Sequence, residues 1–230
     1  MLAAKCHIGS TNCTFGMTNY AFTRKRDGTH IINVGMTYEK VKLAARMIAA
    51  VAEPKDVLAI SAKPFGQRAV TKFAQFLGAN CINQRFTPGF FTNHSIEGKF
   101  MEPRIIVVCD PNTDSQAIHE AAYANIPCIA LCDTDAHIEY VDCVIPCNTK
   151  NKMSMGLIMW MLTREVLRLR GELTASWNIL PDLFFHRDAH DEQEIDAKLE
   201  EAENAAQAVA PAEEAAEAPA EGEWNQENTW

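Results

Sequence analysis

The sequence predicts an α/β fold: a mostly parallel sheet flanked by helices on both faces, with an N-terminal β-hairpin and a disordered acidic C-terminal tail. Three observations carry this prediction. Short, nearly continuous apolar runs alternate with amphipathic helical patterns, the way strands buried on both faces read. Arg26-Asp27-Gly28 separates two β-rich runs, and Asp-Gly is a strong hairpin signal. The charge is also split. The 230 residues carry a formal net charge of -9, but Pro181–Trp230 holds 15 acidic and 2 basic residues, leaving residues 1–180 with 19 basic against 15 acidic, or +4.

That split sets the expected domains: a globular α/β body over 1–187 and an acidic, Ala/Glu-rich tail over 188–230. The tail has too little apolar surface to offset the entropy of ordering it.

The elements follow in order. Tyr20–Val34 forms the hairpin, with Arg24, Lys25 and Arg26 at its turn. Thr37 is expected to cap the next helix, with Glu39 in its first turn. Val41, Ala44, Ala45, Ile48 and Ala52 make one apolar stripe before Glu53-Pro54 ends it. Asp56–Ser61 reads as a buried strand. Phe65–Leu77 reads as a helix, with Ala69, Val70, Phe73 and Leu77 inward and Gly78 closing it. A weak strand lies near Cys81-Ile82 and a strong one at Ile105–Cys109. Thr113-Asp-Ser-Gln116 has capping-box form and opens a helix to about Asn125. Pro127–Cys132 and Val141–Ile145 are the last strands. A final helix runs from Ser154 to Leu169 and stops at Gly171.

One segment breaks the rhythm. Gln84–Pro103 follows a strand on the side where open α/β sheets place their binding loops, and it mixes Arg and Lys with three Phe in its first half. Loops of this length are usually functional.

The chemistry expected of an enzyme is missing. A nucleotide-dependent α/β enzyme is the first alternative, but Ser61-Ala-Lys-Pro-Phe-Gly66 stands where a glycine-rich phosphate loop would be. No Ser or Cys sits beside a recognisable base. Asp133-Thr-Asp135 reads as a turn, and His186-x-x-x-His190 as solvated polar sequence. Cys128-x-x-x-Cys132 and Cys143-x-x-x-Cys147 lie in apolar runs, with spacing loose for zinc, so buried free thiols are expected. Neither a catalytic residue, a metal nor a cofactor is expected. No apolar run approaches the ~20 residues that cross a bilayer, and Met1–His7 is too short and mixed for a signal peptide. A cytoplasmic protein is expected.

What remains are cations on turns and loops: Arg24, Lys25 and Arg26 on the hairpin; Lys63 and Arg68, with the neutral amide of Gln67, around a helix start; Arg85, Lys99 and Arg104 in or beside the long loop. Arginine pairs bidentately with phosphate, and helix N-termini add backbone donors. Such residues fix a protein on folded RNA by shape and backbone contact.

The motifs also match a known family. His7-Ile-Gly, the Arg24–Gly28 turn, Gly66-Gln-Arg-Ala-Val70, Arg85-Phe-Thr-Pro-Gly-Phe-Phe-Thr-Asn93 and Glu102-Pro-Arg104 follow one another without large gaps. They continue through Asp110-Pro111, Ile129–Cys132, Ile145–Asn148, Met161–Arg168 and Pro181–Asp188. In this series the chain resembles the eukaryotic, laminin-receptor-like small ribosomal subunit protein SA family. The resemblance implies an α/β sandwich bound to small-subunit rRNA and to neighbouring ribosomal proteins, a role in subunit assembly and translation, and no catalysis. Neither a membrane nor DNA is an implied partner. The basic positions above, with Thr87 of the Arg85 motif, carry over as rRNA contacts. The acidic tail with Glu223-Trp224 and Thr229-Trp230 looks like a shortened family tail. Family members usually begin with an extra helix, and Leu2-Ala3-Ala4 resembles its end. The segment linked to laminin binding in animal relatives corresponds to Ile145–Arg164, where Trp160 stands alone. A laminin-binding cell-surface receptor is the second alternative, but this segment reads more simply as a buried core helix.

Overall fold

The computed structural model describes residues 1–95, 100–173 and 177–187. Lys99, His190 and the acidic stretch 188–230 lie outside the described residues. Met1–His186 is one compact unit.

A hairpin of β1 (Ala21–Arg24) and β2 (His30–Ile32) precedes helix α1 (Val34–Ala49). The main sheet then alternates with helices: β3 (Val57–Ile60), α2 (Pro64–Leu77), β4 (Asn80–Ile82), β5 (Ile105–Val108), α3 (Ser115–Tyr123), β6 (Cys128–Cys132), β7 (Cys143–Pro146) and α4 (Lys152–Leu169). Its strand order is β4-β3-β5-β6-β7, and every neighbouring pair is parallel. The order reverses between β3 and β5, which makes the carboxyl ends of those two strands the topological switch point.

Each of β3, β5, β6 and β7 is buried along its whole length, while the edge strand β4 is half open. This is why four strands read as continuous apolar runs and the fifth as a weak one. Alternate side chains divide between two cores. Val57, Ala59, Val107, Ile129, Leu131 and Ile145 pack under α1, α2 and α4. Leu58, Ile60, Ile106, Val108 and Ala130 meet α3, Met17 and the Phe86–Phe91 loop on the other face. Cys128 and Cys132 face the α3 side, and Cys143 and Cys147 the opposite side. The two cysteine pairs therefore cannot converge on one ion. Burial raises the Cys128 thiol to about 12.

The caps differ from expectation in three places. Helix α1 starts one turn early, because the Asn33 side chain accepts the Gly35 N–H at 3.0 Å. Thr37 is instead buried inside the helix, where its hydroxyl donates to the Pro146 carbonyl at 2.7 Å and ties α1 to β7. Glu39 thus falls beyond the first turn, and Ala52 beyond the helix end. The expected capping box does not form at α3. Its N-cap is Asp114, which makes no side-chain cap bond. Asp114 is drawn off by the Ala62 N–H (3.0 Å) and Thr113 by the Asp110 carboxylate (3.0 Å). Helix α4 begins at Lys152 with Asn151 as its cap, two residues before the expected Ser154. Gly78 closes α2 at φ +68, a left-handed conformation that favours glycine.

Candidate nucleic-acid interface

In an open α/β sheet the crevice beyond the strand carboxyl ends is the usual ligand site. Here the chain fills it with its own charges. Lys63, the N-cap residue of α2, pairs with the Asp110 carboxylate at 2.9 Å, and both side chains are largely buried. Asp114 reaches across to the Ala62 N–H. Burial raises Asp114 to about 6, with neighbouring Asp110 adding to the shift and the Ala62 bond and Lys63 opposing it. Beyond β6, Asp135 holds Lys150 at 2.6 Å, Asp133 lies 3.8 Å from the same ammonium, and the Ser10 hydroxyl bonds both carboxylates. Burial raises Asp133; for Asp135 the Lys150 and Ser10 bonds outweigh burial and lower it. Asp133-Thr-Asp135 is thus a clasp on residue 10 and Lys150. Among the described residues no group of three or more His, Cys, Asp or Glu is arranged to hold a metal ion.

The hairpin stands out from this edge on a rigid base. Gly9 N–H donates to the His30 carbonyl at 2.9 Å, and Ile8 bridges Ile31. A Cβ on Gly9 would lie 2.6 Å from the Thr134 methyl, so only glycine lets the chain pass this close. The turn is closed by Lys25 N–H to the Thr29 carbonyl (2.8 Å), and Arg24 Nε donates to the Gly28 carbonyl (2.9 Å). Gly28 takes φ +82, which a side chain would resist. Arg24, Lys25 and Arg26 are all exposed at the tip.

The structure distributes the other expected RNA contacts between the two ends of the sheet. Arg68 Nε donates to the Leu183 carbonyl at 3.2 Å, which ties α2 to the segment Pro181–Phe184. Gln67 is half-buried beside it. Arg85 and Thr87 are exposed on the long loop, but the loop's aromatics are not available for stacking. Phe86 and Phe91 are buried with their rings 5.1 Å apart, and Phe90 packs against them. The loop is pinned by buried Glu120 of α3, whose carboxylate accepts the Gly89 N–H (2.9 Å), the Phe91 N–H (2.8 Å) and the Thr92 hydroxyl (3.2 Å). Arg104 is exposed, but it precedes β5 and so lies at the opposite end of the sheet from Lys63 and Arg85.

Sequence reasoning missed several groups. Lys40 sits over the Tyr20 ring at 5.8 Å and Lys42 over the Tyr38 ring at 4.3 Å, which extends the cationic surface from the hairpin base along α1. The Tyr38-x-x-x-Lys42 spacing was a visible signal. Phe22, 74% exposed on β1, looked like an ordinary strand residue.

Comparison with known proteins agrees with this architecture. The profile described as ribosomal protein S2 matches residues 1–101 and 94–168. A small ribosomal subunit protein uS2 of Chaetomium globosum is 55% identical over 204 residues, 87% of this chain and 69% of the relative. That of Culex quinquefasciatus is 50% identical over 227 residues, 99% of this chain and 78% of the relative. That of Yarrowia lipolytica is 54% identical over 204 residues, 87% and 75%. A filled switch-point crevice, an exposed cationic hairpin and identity sustained across the whole α/β body lead to one conclusion: the chain belongs to the ribosomal protein S2 family.

Proposed function

We propose that this chain is a structural, non-catalytic constituent of the small ribosomal subunit in the cytoplasm. It binds rRNA and neighbouring ribosomal proteins and serves assembly and translation. The observation that carries the RNA contact is the hairpin tip: three exposed cations on a turn whose base is hydrogen-bonded to the body. Arg85 and Thr87 add contacts on the Glu120-pinned loop, and Arg104 a separate contact at the other sheet end. Lys63 and Arg68 support these surfaces from within, because each already has a protein partner.

Neither alternative finds support. A nucleotide-dependent enzyme would need the crevice that Lys63, Asp110 and Asp114 occupy. A laminin-binding role would use Ile145–Arg164, but most of this segment is buried. Trp160 donates to the Ile179 carbonyl at 2.9 Å with Arg164 4.8 Å over its ring. Among the described residues no helix is long and apolar enough to cross a membrane.

The test is gradient fractionation of cell lysate at low and high salt with the wild-type chain and the variant R24A/K25A/R26A. The wild-type chain should co-sediment with small subunits and dissociate as salt rises, as phosphate-led binding does. The triple variant should dissociate at lower salt. Equal retention of both at every salt concentration rules the hairpin out as an RNA contact.

A further inference from the structure

We propose that Phe22 is a stacking platform for an unpaired nucleotide of the RNA gripped by the hairpin tip. The inference rests on the rRNA reading above and adds to it the kind of nucleotide recognised.

The observation is a register shift. On β1, Ala21 faces Ile32 and Thr23 faces Ile31, so Phe22 is the extra residue of a β-bulge with no partner across the ladder. Bulges re-aim a side chain out of the pairing register. The ring is 74% exposed, and Arg24, Lys25 and Arg26 follow within four residues, all exposed. A single exposed aromatic is ordinary on a protein surface. An unpaired one beside a formal tip charge of +3 from these residues and -1 from Asp27 is matched to a ligand that is anionic and flat-faced at once. Acidic protein surfaces satisfy the charge and leave the ring without a specific partner. An unpaired nucleotide satisfies both, through its phosphate and its base face.

The geometry leaves room for both contacts. Arg24 spends only Nε on the Gly28 carbonyl, so its terminal amino groups remain for phosphate. Among the described residues the outer edge of β1 carries no strand, because β2 takes its second neighbour from Ile8 and Gly9 on the far side. A base can therefore reach the ring without displacing protein. Within a duplex, away from its two ends, the base faces are already stacked on one another, so the ring has no face to meet. Phe22 should thus select unpaired over paired RNA, while the three cations serve both.

The experiment measures binding of the full chain to a fluorescein-labelled oligouridine and to a short labelled RNA duplex by anisotropy, with F22A, F22L, F22W and R24A/K25A/R26A. F22A should weaken oligouridine binding by about 5- to 140-fold, the alanine cost of about 1–3 kcal/mol for one base–aromatic stack. Duplex binding should be unchanged. F22L should lose as much as F22A. F22W should bind as tightly as wild type, with its added tryptophan emission quenched by oligouridine. The triple variant should weaken both ligands. If F22A or F22L binds oligouridine like wild type while the triple variant is weakened, the stacking proposal fails and the hairpin remains a phosphate contact. If the triple variant also binds like wild type, the hairpin's RNA role and the stacking proposal fall together. Because Phe22 is exposed, thermal unfolding of F22A should match wild type, which separates lost binding from lost folding.

Discussion

Replacing Glu120 by Gln should loosen the long loop that carries Arg85 and Thr87, at a cost that can be worked from the structure. Glu120 is 3% exposed, and its carboxylate accepts three hydrogen bonds from the loop. Oε1 serves the Phe91 N–H and the Thr92 hydroxyl, and Oε2 serves the Gly89 N–H. An amide can keep one oxygen only. With that oxygen on Phe91 and Thr92, the amide nitrogen points a donor at the Gly89 donor. One charge-assisted bond is lost, and the other two lose their ionic character. Bonds to a charged group contribute about 1.5–3 kcal/mol each, against about 0.5–1.5 for neutral ones. The sum is about 3.5–6 kcal/mol, a large share of the stability of a domain this size. E120A removes all three bonds but admits water, so its cost should be similar rather than threefold. The assay is urea unfolding together with amide hydrogen exchange at Gly89 and Phe91. Both amides should exchange faster in E120Q, Gly89 more so. If E120Q unfolds within about 0.5 kcal/mol of wild type with both amides still protected, the carboxylate does not hold the loop. Its order would then come from burial of Phe86 and Phe91.

Two further outcomes follow from particular contacts. Because the folded Asp114 carboxyl is raised to about 6 from 3.8, the folded state binds more protons than the unfolded state between those values, so this residue makes stability fall as pH rises through that window. D114N keeps an oxygen for the Ala62 N–H and should flatten that fall, so its stability relative to wild type should rise by about 1–3 kcal/mol between pH 4 and pH 7; an unchanged difference between the two chains at pH 4 and pH 7 in urea unfolding would contradict it. A Cβ on Gly156 would lie 2.6 Å from Phe185 Cδ1 and 2.8 Å from the Phe184 carbonyl oxygen. G156A should therefore push the Pro181–Phe185 segment off α4 for about 1–3 kcal/mol, and fluorescence of Trp177, whose ring centroid is 6.1 Å from that of Phe184, should shift to the red; wild-type emission and stability would show that the segment yields freely.

The candidate site was only partly legible in the sequence. The hairpin tip was, because Asp27-Gly28 specifies the turn locally and three adjacent cations on a turn have little option but solvent. Lys63 was misleading. It reads as a free cation at a helix start, and only the fold brings Asp110, 47 residues away, within 2.9 Å. The loop aromatics misled in the same way. Phe86 and Phe91 stand beside exposed Arg85 in the sequence, and only the packing of the loop on α3 and its Glu120 puts their rings in the core. Phe22 erred in the opposite direction. Its strand position suggests pairing, and a one-residue bulge takes it out.

The alternation of apolar runs and helical stripes was enough, without any structure, to determine a parallel α/β body with a hairpin at its start, because burial on two faces imposes its period directly on consecutive residues. The family was readable too, from motifs in an unbroken series. Strand order, the Asn33 and Asp114 caps and the partner of each charge were decided only in three dimensions. Those outcomes depend on which distant groups meet, and a buried carboxylate or hydroxyl takes the strongest donor or acceptor within reach, whatever its own neighbours in the chain favour.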